Sequence, residues 1–252
     1  MVEHTAEDLM TLVERGSGLN VLDRTRLLLS FLHPEESPGS LDGLPLGECD
    51  RRLLEARAQR FGSTTVLTCR CGSCDSDYEL PIDLAAILDY GAAGPVNEAV
   101  SVCCGSKTYQ VSPVRFMELD AIALEPKAEE RERMLLRAAV KSVQSSDGAL
   151  APVAPSRIPK SHRVALSKAL DQADPLAVIV FPMTCSVCGT DWAPRLEPAD
   201  LLWRDLEQEC SEIIDDVRVL AQTFGWRELD ILTMSPVRRR AYSKRLRERG
   251  DG

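Results

Sequence analysis

Two stretches decide how this chain folds: TTVLTCRCGSCDSDYELPID at residues 64–83 and IVFPMTCSVCGTDWAPRL at residues 179–196. Each runs a strand-like segment into a C-x-x-C turn, Cys71/Cys74 in the first and Cys185/Cys188 in the second. Four residues past the second cysteine stands an aromatic, Tyr78 or Trp192, preceded by Asp77 or Asp191. A helix start follows at the same offset in both, Ile87-Leu88 and Leu201-Leu202. The pattern is an internal repeat, a hairpin knuckle leading into a helix.

One knuckle supplies two thiolates and two supply four. Zinc favours four tetrahedral ligands, so Cys71, Cys74, Cys185 and Cys188 make a complete ligand set for one Zn2+. A site closed by four cysteines has no open coordination position, which makes it structural rather than catalytic, and metal affinity becomes folding free energy. Other readings compete. Buried cysteines pack as small hydrophobes. A redox C-x-x-C sits where a strand meets a helix N-terminus, whereas extended residues follow both turns here. Cys69 lies two residues before Cys71, so Cys69 with Cys74 or Cys71 is an alternative pair. The vicinal Cys103-Cys104 could replace a knuckle, although vicinal thiols chelate one ion poorly. Cys49 and Cys210 stand alone and read as core.

The chain of 252 residues is 44% hydrophobic and 27% charged, a globular balance that excludes wholesale disorder and a collagen-like or purely coiled-coil protein. Aromatics are only 5%, so the core must be mostly aliphatic. No apolar run approaches the ~18 residues of a membrane span. The opening MVEHTAEDLM has neither a basic nor an apolar signal region. A cytoplasmic, reducing location is expected, and nine cysteines there suggest metal binding before disulfides. The net charge is −9, but residues 236–252 carry seven Arg/Lys against two acids, leaving −14 for the rest. That acidic remainder argues against a nucleic-acid-coating protein.

Working outward, helices are expected at Glu3–Arg15, Leu22–Phe31 and Arg51–Arg60, the last capped by Asp50 and stopped by Gly62. A Pro/Gly/Ser loop at His33–Leu46 precedes it. Strands are expected at Thr64–Thr68 and Tyr78–Ile82, then a helix at Asp83–Tyr90. Glu98–Cys103 and Lys107–Ser112 flank a Cys104-Gly105-Ser106 turn and read as a hairpin. Phe116–Leu124, Ala128–Val143 and Lys160–Gln172 read as helices, with a linker at Gln144–Pro155. Leu176–Phe181 reads as a strand, Ala199–Phe224 as the longest helix, and Arg227–Leu232 and the segment opened by Ser235-Pro236 as two tail helices. Leu201, Leu202, Leu206, Ile213, Val217, Leu220 and Phe224 form an apolar helical stripe.

These elements divide the chain into an N-terminal helical segment (1–62), a first knuckle (63–90), a hairpin and helical insertion (91–175), a second knuckle (176–198) and C-terminal helices (199–252). The expected class is α+β: a helical protein around a split four-cysteine zinc ribbon. The three histidines, His4, His33 and His162, are widely separated and form no recognisable catalytic set. G-x-G-x-x-G, P-loop, G-x-S-x-G and H-E-x-x-H patterns are all missing, so no enzyme and no small-molecule substrate is expected.

Four stretches resemble a known family: LPLGECDRRLLEARAQRFG, CGSCDSDYELPIDLAAIL, TCSVCGTDWAPRLEPADLLWRDL and LAQTFGWRELDILTMSPVRRRAYSKRL. They are similar to the baseplate hub assembly chaperones of T-even-type contractile phages and their relatives in phage-tail-like contractile injection systems. The paired knuckles and the tail from Gly225-Trp226 through Tyr242 are the specific parts. The resemblance implies a non-enzymatic assembly factor or structural component, with baseplate hub, spike or wedge proteins as partners and zinc at the four cysteines. Contacts are expected from Trp226, Arg238, Arg239, Arg240 and Tyr242, and from the loop at His33–Leu46. The first knuckle departs from the family pattern, lacking a Pro after Cys71 and carrying Asp75 where Gly is usual. A nucleic-acid-binding zinc-ribbon regulator using the basic C-terminal helix is the alternative.

Overall fold

The computed structural model describes residues 4–92, 99–145, 150–151 and 158–250. The chain is mixed α+β. The helices are α1 (Ala6–Gly16), α2 (Val21–Leu32), α3 (Pro38–Asp42), α4 (Leu46–Phe61), α5 (Leu84–Ala92), α6 (Leu119–Leu124), α7 (Ala128–Ala139), α8 (Lys160–Ala173), α9 (Pro198–Phe224), α10 (Glu228–Leu232) and α11 (Pro236–Gly250). Among the described residues, ten short strands form four antiparallel sheets. Among the described residues no helix is long and apolar enough to cross a membrane. The residues group into two compact units, one made of residues 33–198 and the other of both chain ends, 1–32 and 199–252.

The larger unit carries both cysteine turns. β1 (Thr64–Arg70) and β2 (Asp77–Asp83) pair from Thr64↔Asp83 to Arg70↔Asp77. β-Branched Thr64, Thr65, Val66 and Thr68 favour this extended run. Pro81 sits in β2, where a residue with no N–H is tolerated only on a free edge. Gly62, at φ 91°, stops α4 ahead of β1. The insertion is a sheet of order β3-β4-β5-β6, from Val100–Cys104, Lys107–Val111, Val140–Ser145 and Leu150–Ala151. Its core is Cys104, Tyr109, Val111, Leu136, Val140, Ile158 and Leu166, with half-buried Val100, Val102, Ala165 and Leu170 against it. Tyr109, 1% exposed, satisfies its hydroxyl on His162 Nδ1 at 3.0 Å, so His162 is a packed core-edge residue.

Several expectations change here. The helix expected at Ala128–Val143 ends at Ala139, because Val140 and Val143 pair with β4 opposite Val111 and Tyr109. The expected linker begins inside β5, whose Gln144 faces Leu150 of β6; residues 146–149 and 152–157 lie outside the described residues, as does Glu98 of the expected hairpin. Of Leu176–Phe181 only Ile179–Val180 (β7) is strand. The loop at His33–Leu46 contains α3, capped by the Ser37 hydroxyl. Helix α4 starts at Leu46, and Asp50 lies inside it rather than capping it. Gly47 explains the early start: its N–H donates to the Asp174 carboxylate at 3.1 Å, a cap delivered from the end of α8. A Cβ at Gly47 would lie 1.9 Å from that carboxylate, so only glycine fits.

In the smaller unit, α1 opens with a capping box: Thr5 and Asp8 exchange side-chain-to-backbone bonds of 3.1 and 2.8 Å. Gly16 closes α1 against the Trp203 ring, where a Cβ would come within 2.1 Å. The α9 stripe is buried at Leu201, Leu202, Leu206, Ile213 and Leu220, while Phe224 is exposed. Helix α11 adds little apolar surface, and Val237 is 80% exposed. Part of its attachment is ionic. Arg239, 1% exposed, lies 3.5 Å from the buried Asp216 of α9, which also takes Arg247 at 3.0 Å. Removing one partner of a buried pair leaves the other charge uncompensated. Asp216→Ala should therefore cost about 3 kcal/mol in denaturant unfolding and speed proteolysis within α11. Unchanged stability would contradict this account of how α11 is held.

Candidate metal centre

Both turns fold by the same local bonds. In the first, Cys71 N–H donates to Ser76 O at 3.0 Å and Asp75 N–H to Cys71 O at 2.9 Å. In the second, Cys185 N–H donates to Thr190 O and Gly189 N–H to Cys185 O, each at 2.9 Å. The second hairpin is built from β7 and β8 (Met183–Thr184) returning through β9 (Asp191–Trp192) and β10 (Arg195–Leu196). Pro182 and Pro194 interrupt its ladder, which Phe181 N–H bridges by donating to Pro194 O at 2.9 Å. Equivalent cross-strand pairs brace the two turns, Arg70 to Asp77 at 2.8 Å and Thr184 to Asp191 at 2.7 Å.

The departure at Asp75 is absorbed by the backbone. Asp75 takes φ 58° and its counterpart Gly189 takes φ 73°, the same left-handed corner. Aspartate is among the few non-glycine residues that visit this region at modest cost.

The hairpins face each other at their tips. Cys71 Sγ lies 3.8 Å from Cys188 Sγ, and Cys74 Sγ 3.6 Å from Cys185 Sγ, pairs that are 117 and 111 residues apart in sequence. All four sulfurs lie within 4.8 Å of one another and could hold a metal ion. They are free thiols, and their spacing far exceeds a disulfide bond of about 2.05 Å. Cys71 and Cys185 are buried, Cys74 is half-buried and Cys188 is exposed. Cys69 is not part of the group; it sits in β1 opposite Tyr78, before the turn begins. Cys103 and Cys104 are also outside it, at the end of β3, and Cys49 and Cys210 are buried as expected.

The surrounding groups set three of the thiols apart. The Tyr78 hydroxyl, then the Cys188 backbone N–H, pulls Cys185 down to about 6. The Thr190 hydroxyl and backbone lower Cys188. Cys74 moves the other way, to about 11: the Ser76 hydroxyl and N–H favour its thiolate, but burial and the sulfurs of Cys185 and Cys188 outweigh them. These three titrate together, the first proton leaving near Cys185 and the last held at Cys74.

The tail residues are placed differently from one another. Trp226 stacks on Phe224 at 4.6 Å and meets Tyr242 edge-on at 5.4 Å, so the aromatic pair pins α11 to the end of α9. Arg238 lies over the Tyr242 ring at 5.8 Å, and exposed Arg240 is 3.8 Å from Glu209. Arg239 is a correction: it faces the interior against Asp216 and is no surface contact. His33, Glu35 and Glu36 also cluster, but Arg52 already holds Glu36 at 2.6 Å, which reads as an ion-pair corner. Sequence reasoning missed an open apolar groove of about 780 Å3 in the larger unit, between Leu80–Asp83, Tyr90 and Val178–Met183. Its charged lining residues, Asp83 and Asp171, are both acidic. The chain matches no family model, no curated protein and no solved structure.

Two tests follow from the turn geometry. Asp75→Gly relieves the left-handed corner and should raise stability by about 0.5–1 kcal/mol in thermal melts; a loss would contradict the backbone account. In metal-stripped protein, thiolate ultraviolet absorbance should first appear as pH rises through about 6, from Cys185. Because that folded-state value lies below the unfolded thiol value of about 8.5, the thiolate adds stability above the latter, and this is lost as pH falls through about 6. A first step in the ordinary thiol range would contradict the Tyr78 contribution.

Proposed function

We propose that Cys71, Cys74, Cys185 and Cys188 bind one structural Zn2+, and that the chain is a non-enzymatic assembly factor or structural component of a contractile phage-tail-like particle. The observation that carries the metal half is the sulfur spacing. Four thiolates about 2.3 Å from a tetrahedral ion lie about 3.8 Å apart, and two of the distances here are 3.6 and 3.8 Å. Four soft anionic ligands with no place for water suit Zn2+ in a closed site. Such an ion holds two hairpins whose own ladders are only two to seven residues long.

The role in a particle is supported by the resemblance of the four sequence stretches to baseplate hub assembly chaperones. Recognition of hub, spike or wedge proteins then falls to exposed surfaces. Phe224 and Arg238 both lie against Tyr242, and Leu229 and Val237 are exposed large apolar residues of the same tail. The apolar groove with its acidic lining is a second surface of suitable chemistry.

Co-expression with neighbouring baseplate subunits tests the role: the chain should co-purify with a hub, spike or wedge protein, and Arg238→Ala with Arg240→Ala should weaken that capture. A duplex gel shift that weakens steeply with salt and disappears on removal of residues 236–252 would instead favour the nucleic-acid reading. For the metal, the purified chain should carry one zinc. Cys188→Ser should retain none through gel filtration, and chelation should lower the melting temperature by about 10 °C or more. A melting temperature indifferent to chelation would contradict a structural ion.

A further inference from the structure

Tyr78 belongs to the first hairpin, yet its hydroxyl sits on the second. The phenol oxygen lies 3.0 Å from Cys185 Sγ, 3.0 Å from Ser186 N and 3.1 Å from Ser186 Oγ. Chemistry fixes the direction of two of these bonds. A backbone N–H can only donate, so the Tyr78 oxygen accepts from Ser186. A thiolate ligand has no proton to give, so the phenol O–H donates to Cys185 Sγ. The result is a short relay from Ser186 N–H through Tyr78 O–H to the sulfur, crossing from one hairpin to the other.

The internal repeat supplies a built-in comparison. Trp192 occupies the position of Tyr78 in the second hairpin, and the two rings lie 5.8 Å apart. The Trp192 indole N–H is buried and has no hydrogen-bond partner among the described residues. Cys71, the counterpart of Cys185, therefore receives no bond from Trp192. The outer sulfurs, by contrast, are matched: Cys74 has the Ser76 hydroxyl at 3.2 Å and Cys188 the Thr190 hydroxyl at 3.4 Å. The phenol on Cys185 has no equivalent at Cys71 and breaks the two-fold likeness of the knuckles at the inner sulfurs.

We propose that Tyr78 is a positioning residue of the metal centre: its hydroxyl holds the Cys185 thiolate in its ligating orientation and clamps the two hairpins, slowing escape of the bound ion. The inference rests on the metal reading above. A hydrogen bond from outside the ligand set fixes ligand orientation before the ion binds, and loss of such partners typically costs about 10–100-fold in metal affinity. Ser186 N–H adds rigidity, because it orients the phenol that orients the sulfur. A donor shared between hairpins also makes their separation cost two hydrogen bonds in addition to the metal bonds.

The test uses full-length protein loaded with Zn2+ or Co2+, comparing wild type with Tyr78→Phe and Trp192→Phe. The phenylalanine at 78 keeps the ring at a half-buried position and leaves the β1–β2 backbone ladder intact. Tyr78→Phe should still take up one ion, but should pass zinc to an excess chromogenic chelator about 10-fold faster or more. Its thiolate-to-cobalt charge-transfer band should move to longer wavelength, since the sulfur lone pair has lost a stabilising donor; a purely packing role would not move that band. Trp192→Phe, which removes an N–H with no partner, should match wild type in both. Wild-type release rate and spectrum in Tyr78→Phe, with one ion bound, would overturn this inference alone. Failure of the wild-type chain to take up either ion would overturn the metal reading and this inference with it.

Discussion

The larger unit brings four sulfur atoms together across more than a hundred residues of chain. Each cysteine turn closes locally, through a pair of backbone hydrogen bonds and a left-handed corner at Asp75 or Gly189. Bringing the turns together is a separate matter, because closing a loop of this length opposes chain entropy. The entropy grows only slowly with length, by roughly 0.6 kcal/mol per doubling. A cross-link across a loop of about 100 residues accordingly removes about 4–5 kcal/mol of unfolded-state freedom, on the scale known for disulfides. A shared ion is a cross-link of that kind. The proposed ion would brace two-residue strands such as β8 and β9, which are too short to hold by themselves.

The cysteine centre was largely readable from sequence because its signal is local and doubled. Spacing, the following aromatic and the helix offset repeat between Cys71/Cys74 and Cys185/Cys188. What escaped reading is what depends on distant partners. Helix α4 begins at Leu46 because Asp174, 127 residues away from Gly47, caps it. Val140 leaves a strongly helical sequence because β4 offers it a ladder and the insertion core offers it burial. Arg239 looks like one of three equal cations in Arg238-Arg239-Arg240, and only the position of Asp216 on α9 makes it an interior residue. Tyr78 carries no motif that marks a phenol as a partner of a cysteine in the other half of the chain. The association of residues 1–32 with 199–252 was likewise invisible, since no local pattern links two chain ends.

The division of labour among these parts gives the proposed role its physical form. The cysteine centre, with Cys71 and Cys185 buried, is the proposed source of rigidity. The tail is held by aromatic stacking and a buried ion pair, leaving Phe224, Val237, Arg238 and Arg240 outward-facing. Exposed groups of mixed apolar and cationic character are suited to docking on other proteins.

The most direct measurement is X-ray absorption at the zinc edge of the purified full-length chain. The account predicts one zinc per chain in a shell of four sulfurs at about 2.3 Å, with no nitrogen or oxygen ligand. A mixed sulfur and oxygen shell, or a chain that carries no zinc, would contradict it.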